Sequence, residues 1–383
     1  MTGPLQGLRV LEFGGIGPAP FEGALMGDLG ADVVRIDRLS RPLSGLEQPP
    51  RFDFYNRSKR SVALDLKQPA GVAAALKLVA RADALIEGFR PGAMERLGLG
   101  PDACFAVNPR LVYGRMTGWG QDGPLAQEAG HDITYLALSG ALRCIGDPDR
   151  PPPPPLNLVA DLGGGALYLV VGVLAAALEA RVSGRGQTVE AAMIDGVTNL
   201  MSMFLALRQR GTWTGQREDN LLDGGAPYYR CYSTKDRKYV AVGAIEPQFY
   251  AALIDTMGLD GETLPGQNDR AAWPEMRKRF ASVFRTRTRD EWVAATLGRD
   301  ACLAPVLSID EAPEHPQMKA RNVYAHLDGL RHPSPAPRFD RTPASLAREA
   351  PAPGQHSREA LSDWGLPTSD IDALESLKAM AQA

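Results

Sequence analysis

Short apolar runs alternate with helical patterns over the first 120 residues of the chain. An apolar run at Leu8–Glu12 is followed by a glycine-rich turn, a helical pattern over Phe21–Leu29 and a second apolar run at Asp32–Ile36. A strand, a helix and a strand in this order form a βαβ unit with parallel strands and a right-handed crossover. The same pattern continues with a helix over Pro69–Arg81 and strands at Ala84–Ile86 and Leu111–Arg115. The sequence therefore predicts an open α/β sheet.

Five consecutive prolines, Pro151–Pro155, interrupt this pattern. Such a run is a stiff, extended connection that cannot be helical. After it, Asp161 and three glycines precede a long apolar helix that we expect to end near Ala180. A strand at Gln187–Ala192 and a second apolar helix at Ile194–Arg208 follow. A chain of 383 residues is long enough for two domains. We assign residues 1–210 to the first of them, a large domain.

The pattern changes beyond residue 210. Residues 211–227 are polar and glycine-rich, which predicts a linker. Residues 228–331 are expected to form a small α+β domain, with a hairpin of Tyr229–Ser233 and Tyr239–Gly243 and helices over Pro247–Met257 and Trp273–Phe284. Residues 332–353 are proline-rich and predict a returning linker, and residues 354–383 predict a short helical tail that packs on the large domain.

Composition narrows the range of partners. The 42 basic and 45 acidic residues leave a net charge of −3, so the chain has no strong field to attract nucleic acid or an anionic membrane. The longest apolar stretch, Ala166–Leu178, is too short to span a bilayer and is expected to be a buried helix. We therefore expect neither a nucleic-acid nor a membrane partner.

Cysteine usage and the chain ends favour a cytoplasmic location. The four cysteines are far apart and form no C-x-x-C pair, which disfavours structural zinc and disulfides and suits a reducing compartment. The first ten residues lack a signal-peptide pattern, and Met380–Ala383 is no peroxisomal address. No metal or redox cofactor is expected, since neither metal-ligand spacing nor G-x-G-x-x-G is present. The cluster Gly14–Gly17 is either a ligand loop or a tight βα turn.

Basic residues follow several of the predicted strands: Arg38, Arg60, Lys67 and Arg90. The carboxyl ends of strands in an open α/β sheet are where ligands bind. Cations gathered there suit a polyphosphate such as a nucleotide or coenzyme A, whereas any one of them taken alone is better explained as a solvated loop charge.

Three side chains are candidates for acid/base chemistry. His131 precedes an apolar helix and lies next to a carboxylate, which suits proton transfer, although Asp132 can instead be the helix cap. Asp161 precedes a glycine-rich turn and a long helix, and Glu246 precedes Pro247, so both can equally be residues that open helices.

Longer motifs give these candidates a context. The sequence resembles the class III CoA-transferase (CaiB/BaiF) family, and in particular its racemase group. The resemblance runs from near the start to about residue 310 and rests on Gly15–Pro18, Leu29–Arg38, Asn56–Arg60, Leu64–Lys67, Gly130–Tyr135, Pro155–Asp161, Asp223–Pro227 and Gly243–Phe249. The last seventy residues match weakly, and Thr134 stands where the racemase group usually has Asn.

The resemblance implies a fold and an assembly. It implies an α/β fold in which a large domain with a doubly wound, Rossmann-like sheet is joined to a small α+β domain, and a homodimer whose two chains are interlocked. It implies catalytic roles for His131, Asp161 and Glu246. It also implies that coenzyme A is held at Arg38, Leu64, Asp65, Leu66, Lys67, Gly88, Phe89, Arg90, Arg96, Gly130, Asp132, Ile133, Thr134 and Tyr135.

The expected reaction is the epimerisation of a 2-methylacyl-CoA thioester at its α-carbon. Inversion requires one group to remove a proton from one face and another to return a proton to the other face, and His131 with Asp161 is such a pair. Glu246 would orient and stabilise the imidazole. The alternative is a family III CoA-transferase in which Asp161 is a nucleophile, and a non-catalytic CoA-binding scaffold is a weaker one. The resemblance implies an acyl-CoA substrate, of which coenzyme A is a part, and no separate cofactor is expected.

Overall fold

The computed structural model describes residues 2–39 and 49–383 of the chain. The chain forms two compact units, each built from separate segments. The first unit comprises Met1–Ser139, Pro155–Leu200 and Lys319–Ala383, and the second comprises Gly140–Pro154 and Met201–Met318. The boundaries of the two units differ from the expected domain ends at 210 and 331. Residues 201–210 belong to the second unit, and residues 319–331 belong to the first.

Twelve strands and fourteen α-helices are present in the described residues. The strands are β1 Arg9–Phe13, β2 Asp32–Asp37, β3 Lys59–Leu64, β4 Ala84–Glu87, β5 Val112–Thr117, β6 Gln187–Ala192, β7 Tyr229–Ser233, β8 Tyr239–Gly243, β9 Leu303–Pro305, β10 Tyr324–Leu327, β11 Leu330–Pro333 and β12 Met380–Ala381. The helices are α1 Pro18–Asp28, α2 Pro69–Val79, α3 Ala93–Arg96, α4 Pro101–Val107, α5 Asp132–Ser139, α6 Leu167–Ser183, α7 Met193–Leu200, α8 Ser202–Gln209, α9 Pro247–Thr256, α10 Trp273–Phe284, α11 Arg289–Ala295, α12 Pro316–Ala320, α13 Ser357–Asp363 and α14 Thr368–Ser376. A π-helix, Leu158–Ala166, leads directly into α6.

The first unit is organised around one seven-stranded sheet in the order β12-β3-β2-β1-β4-β5-β6. All neighbouring strands from β3 to β6 are parallel, and only β12 pairs antiparallel, with β3. The chain order reverses between β1 and β4, which is the topological switch point of a doubly wound sheet. The predicted α/β fold with a Rossmann-like sheet is confirmed.

The C-terminal segment completes the core of this unit. Leu361, Trp364, Leu366 and Ile371 are all buried in the same cluster as the central strands. The predicted helical tail is present as α13 and α14, and the tail also adds β12 to the sheet, where Met380 pairs with Leu64. The predicted returning linker at 332–353 begins too early, because His332 and Pro333 are the end of β11.

The apolar stretch after the five prolines is longer than expected. The π-helix and α6 form a continuous helical stretch, Leu158–Ser183, which by length and composition alone is long enough to cross a membrane. The expectation that it is too short was wrong, since the helix extends well beyond Ala166–Leu178 on both sides. Of the 18 most apolar consecutive residues in this stretch, only 44% are buried in the protein. Core helices of soluble proteins can be equally long and apolar.

The predicted helix Ile194–Arg208 is two helices, α7 and α8, separated at Met201. Met201 is the N-cap of α8, with φ −78° and ψ 2°, so regular α-helical geometry is interrupted there. α7 packs against the π-helix at very short range, and the glycines at 164 and 196 make this approach possible. A Cβ added at Gly196 would lie 2.6 Å from the carbonyl carbon of Gly164.

The second unit contains a three-stranded antiparallel sheet in the order β7-β8-β9. The predicted hairpin is confirmed, with Tyr229 paired to Gly243 and Ser233 to Tyr239. Helices α9, α10 and α11 share one buried cluster with these strands, to which α9 contributes Leu253, α10 contributes Phe280 and Phe284, and α11 contributes Trp292. This part of the chain is an α+β unit, as predicted.

Candidate active site

The carboxyl ends of the parallel strands define one edge of the large sheet. The segments that follow β1, β2, β3, β4 and β5 all leave the sheet there, because parallel strands end on the same side. They bring together the glycine turn after β1 and most of the residues for which we expected a role in binding: Arg38, Asp65, Leu66, Lys67, Gly88, Phe89, Arg90 and the segment Gly130–Tyr135. This edge, at the switch point, is the candidate site.

The glycine turn between β1 and α1 has the geometry of a tight βα turn. Gly17 has φ 83°, a conformation that favours glycine, and it directly precedes Pro18 at the first position of α1. A Cβ at Gly14 would meet the carbonyl oxygen of Ile36 at 3.0 Å. Ile16, at the tip, is 73% exposed. The turn therefore lets β1 and β2 lie close together and leaves the start of α1 at the candidate edge.

His131 lies at the start of α5, and its side chain is exposed. The hydroxyl of Thr134 fixes the backbone there, since it accepts from the N–H of His131 at 2.9 Å and donates to the carbonyl oxygen of His131 at 2.7 Å. Asp132 and Ile133 are the first two residues of the helix, so their N–H groups have no acceptor within it. An accessible imidazole thus stands beside the positive end of a helix.

Asp161 is the fourth residue of the π-helix and is not a helix cap, which corrects the simpler interpretation of its position. The extra residue per turn of a π-helix is a feature often found at functional sites. Burial raises the pKa of Asp161 above its ordinary value, and the charge of Asp132 acts in the same direction. A hydrogen bond from Asn157 at 3.3 Å and the proximity of His131 oppose this rise in pKa. His131 and Asp161 therefore lie close enough to influence each other.

The side chain of Asp132 does not cap α5. Its Oδ2 atom accepts hydrogen bonds from the backbone N–H groups of Ala160 at 2.8 Å and Asp161 at 2.9 Å. The residue is only 5% exposed, and Oδ1 has no partner among the described residues. One carboxylate therefore joins the beginning of α5 to the first turn of the π-helix. No local sequence pattern indicates this contact, because it spans 28 residues.

Glu246 lies in the second unit, directly before α9. It occupies the N-cap position but makes no side-chain capping hydrogen bond, and it is exposed. Burial, followed by the charges of Glu246 and Asp300, raises the pKa of the nearby Cys302 thiol. Cys302 lines an open cavity of about 590 Å³ in this unit. The carboxylate of Glu246 is thus free for a role other than helix capping.

The residues expected to hold coenzyme A fall into two groups. Arg38, Lys67, Arg90 and Arg96 have exposed side chains near the carboxyl edge of the sheet. Leu64 is 1% exposed and packs in the core, so only its backbone can face a ligand. The carboxylate of Asp65 accepts from the Lys67 N–H at 3.0 Å and from Gln68 at 3.0 Å, and these bonds lower the pKa of Asp65. Asp65 therefore shapes the turn that carries Lys67.

Arg60 is not a ligand candidate, contrary to the expectation from its position in the sequence. It is the second residue of β3, far from the carboxyl end, and is 5% exposed. Its guanidinium donates to Asp32 at 2.7 Å and to Asp363 at 2.7 Å. Arg60 therefore links β2, β3 and the C-terminal helices.

Sequence reasoning missed a buried charged cluster beneath α1. Lys59, fully buried, donates to Glu12, to the carbonyl oxygen of Pro20 and to Asn56, and its pKa is lowered to about 8 by burial. Glu22, also fully buried, has no hydrogen-bond partner on either carboxylate oxygen among the described residues. Burial, followed by repulsion from Glu12, raises the pKa of Glu22 well above its ordinary value. Both acids lie within predicted apolar elements, where no pattern sets them apart.

No cluster of three or more His, Cys, Asp or Glu side chains suited to a metal ion occurs in the described part of the chain. All four cysteines are free. The expectation that the chemistry needs no metal remains a prediction.

Comparison with known proteins identifies the relatives of the chain. The model of a family described as CoA-transferase family III matches residues 5–357. The chain belongs to CoA-transferase family III. The alpha-methylacyl-CoA racemase of Mus musculus is 45% identical to this chain over 375 residues, which cover 97% of this chain and 96% of the relative. The alpha-methylacyl-CoA racemase of Homo sapiens is 43% identical over 379 residues, which cover 98% and 97%.

A similar solved structure supports the fold. A CAIB/BAIF family protein from Brucella suis has a TM-score of 0.82 and 25% identity, and the match covers 95% of this chain and 100% of that chain. The family inferred from the sequence motifs is confirmed.

Proposed function

We propose that this protein epimerises 2-methylacyl-CoA thioesters by moving a proton at the α-carbon. The observation that carries the proposal is the pairing of an accessible imidazole, His131, with a half-buried carboxyl group of raised pKa, Asp161. The two racemase relatives, which match nearly the whole chain, support the substrate class.

The two groups suit two-base chemistry. One group removes the α-proton, which leaves an enolate intermediate. The other group then delivers a proton to the opposite face of the α-carbon. A carboxyl group whose pKa is raised by burial holds a proton at higher pH than an ordinary aspartate, which suits it to serve as an acid in one direction and a base in the other. The N–H groups at the start of α5 are placed to stabilise the enolate oxygen.

We propose that the exposed cations at the sheet edge hold the phosphates of the coenzyme A portion. Arg38, Lys67, Arg90 and Arg96 are exposed and belong to segments that follow β2, β3 and β4. The guanidinium fork pairs well with phosphate oxygens. The polyphosphate end would then lie at this edge, with the thioester near His131. Coenzyme A is part of the substrate here, and no separate cofactor or metal is proposed.

We further propose that the functional protein is a homodimer with interlocked chains, in which Glu246 of one chain supports His131 of the other. An exposed apolar stripe on α6, comprising Leu167, Val171, Leu178 and Val182, supports a partner surface, because these side chains are 45–90% exposed at helical spacing. Refolding a mixture of His131→Ala and Glu246→Ala proteins tests the shared site. Recovered activity supports it, whereas no recovery in proven heterodimers contradicts it.

One experiment separates racemase from transferase. A single 2-methylacyl-CoA epimer is incubated with the protein in D₂O without an acceptor acid. Loss of stereochemical purity with deuterium at the α-carbon supports the racemase. Absence of exchange, with CoA transfer after addition of a carboxylic acid, means that Asp161 acts as the nucleophile of a transferase. Absence of both supports a binding scaffold.

We propose the cytoplasm as the location, on the basis of the four free cysteines, which suit a reducing compartment. Fractionation of cells that express the protein tests this, and recovery in a membrane or organelle fraction contradicts it.

A further inference from the structure

Asp132 makes the contact that joins the two proposed acid/base groups. It follows His131 in sequence, and its carboxylate accepts from the N–H groups of Ala160 and Asp161. In a π-helix the first N–H groups have no acceptor within the helix, so these two require an external partner. Asp132 supplies it from the first position of α5.

The contact constrains both groups together. Rotation or sliding of the π-helix relative to α5 would break two short hydrogen bonds to a charged acceptor, and such bonds are about twice as strong as neutral ones. The N–H of Asp161 belongs to the same residue as the proposed acid, whereas Asp132 is bonded covalently to His131. A single carboxylate therefore sets the separation of the two proton-transfer groups.

We propose that Asp132 is a positioning residue for the epimerisation, which fixes Asp161 relative to His131 and is not a ligand of coenzyme A. The inference rests on the proposed function. It differs from the expectation that Asp132 helps to hold coenzyme A, because the side chain of Asp132 is buried and directed to the backbone of the π-helix.

The negative charge of Asp132 also affects the pKa of Asp161. Within the described part of the chain, the Asp132 carboxylate raises the pKa of Asp161 and the nearby His131 lowers it. The hydroxyls of Tyr55 and Tyr135 also lie close, since the charge of Asp161 raises the pKa of each. On the other elements packed against the π-helix, Glu22 of α1 is fully buried beside Glu12, and Asp195 of α7 is exposed.

Two substitutions separate the hydrogen bonds from the charge. Asp132→Asn keeps an acceptor oxygen for both N–H groups and removes the charge. Asp132→Ala removes both. Asp102 serves as a matched control, because it is also an acid in the first turn of a helix, α4, but is exposed. The Asn and Ala variants at position 102 should behave like the wild type.

For the rate of epimerisation, we expect Asp132→Ala to lower kcat about 100-fold, the cost of a displacement of about 1 Å, with KM for the acyl-CoA changed less than threefold. Asp132→Asn should retain a kcat within about tenfold of the wild type. Its pH–rate profile should shift to lower pH on the acid side, because loss of the Asp132 charge lowers the pKa of Asp161.

A ligand role predicts a different result, in which both variants raise KM and weaken binding of free coenzyme A with kcat unchanged. That result overturns the proposal. A merely structural role would lower thermal stability without changing kcat per folded molecule or the pH profile, and it overturns the proposal as well.

Hydrogen exchange provides a readout that does not depend on activity. The amides of Ala160 and Asp161 should be protected in the wild type and in Asp132→Asn, and should exchange faster in Asp132→Ala. If wild-type protein epimerises nothing but shows this exchange pattern, the proposed function fails while the contact stands. If the amides are equally protected in all three proteins, the positioning role is refuted.

Discussion

Replacing Gly196 by alanine should disturb both stability and catalysis, because it separates α7 from the π-helix that carries Asp161. A Cβ at this position would overlap the carbonyl oxygen of Gly164 and lie 2.6 Å from its carbonyl carbon. Carbon atoms in contact are ~3.5–4.0 Å apart, so the two helices must separate by about 1 Å. The neighbour is backbone, which cannot turn aside as a flexible side chain can.

The magnitude follows from two opposing contributions. Overpacking a core costs ~1–3 kcal/mol. Alanine in place of glycine within a helix gains about 1 kcal/mol. Because the overlap is with backbone, we place the cost at the upper end and expect a net loss of about 2 kcal/mol in the free energy of unfolding. A displacement of about 1 Å at Asp161 should in addition lower kcat about 100-fold.

Urea unfolding and the deuterium-exchange assay measure these two effects. Gly215→Ala is the control, since a Cβ at Gly215 meets nothing within 4 Å. Unchanged stability of Gly196→Ala would refute the argument from close packing. A loss of stability with unchanged kcat would refute the idea that the π-helix positions Asp161.

Three further predictions concern the site and the core. Alanine at His131 or Asp161 should lower turnover ~10²–10⁴-fold, with unequal losses for the two epimers, and wild-type rates in a folded Asp161→Ala protein would leave this residue without a catalytic role. Glu22 should make the protein less stable as pH rises, because its pKa is raised in the folded state, so that the folded protein holds a proton that the unfolded chain releases above its ordinary pKa. Glu22→Gln should therefore reduce this loss of stability between about pH 5 and 7, a range that lies below the pKa of about 8 of Lys59. Glu128→Gln, at an exposed position, should not reduce it. If the stability of Glu22→Gln and of the wild type falls equally with pH, the assignment to Glu22 is contradicted. Finally, EDTA should leave the activity unchanged, and loss of activity that zinc or magnesium restores would show that a metal is required.

The parts of the fold that depend on local pattern could be predicted from the sequence. The β7–β8 hairpin and α10 lie where alternation and apolar spacing place them. The π-helix could not be predicted in this way, since Gly163–Gly165 has the composition of a turn. The packing of the π-helix against α7 outweighs the tendency of glycines to form a turn. The absence of side chains at Gly164 and Gly196 lets the backbones of the two helices approach each other.

The candidate site shows the same division. The order of the predicted strands placed Arg38 and Arg90 at the carboxyl edge, because parallel strands end together. The resemblance to family III was needed to select His131 and Asp161, since each also fits a simple capping role in the sequence. The contact between Asp132 and Asp161 depends on tertiary packing across 29 residues, so no local pattern indicates it. Arg60 was misplaced because the strand that contains it, β3, was not recognised.

The pairing of β12 with β3 affects the order in which the chain can fold. Met380 and Leu64 are neighbours in the sheet but more than 300 residues apart in sequence. During synthesis from the N-terminus, the outer edge of β3 remains unpaired, and the core lacks Leu361 and Trp364, until α13, α14 and β12 have left the ribosome. The second unit, whose final segment ends at Met318, is complete earlier. The unit that is begun first is therefore finished last, and its exposed edge must be kept from pairing with other nascent chains throughout that interval.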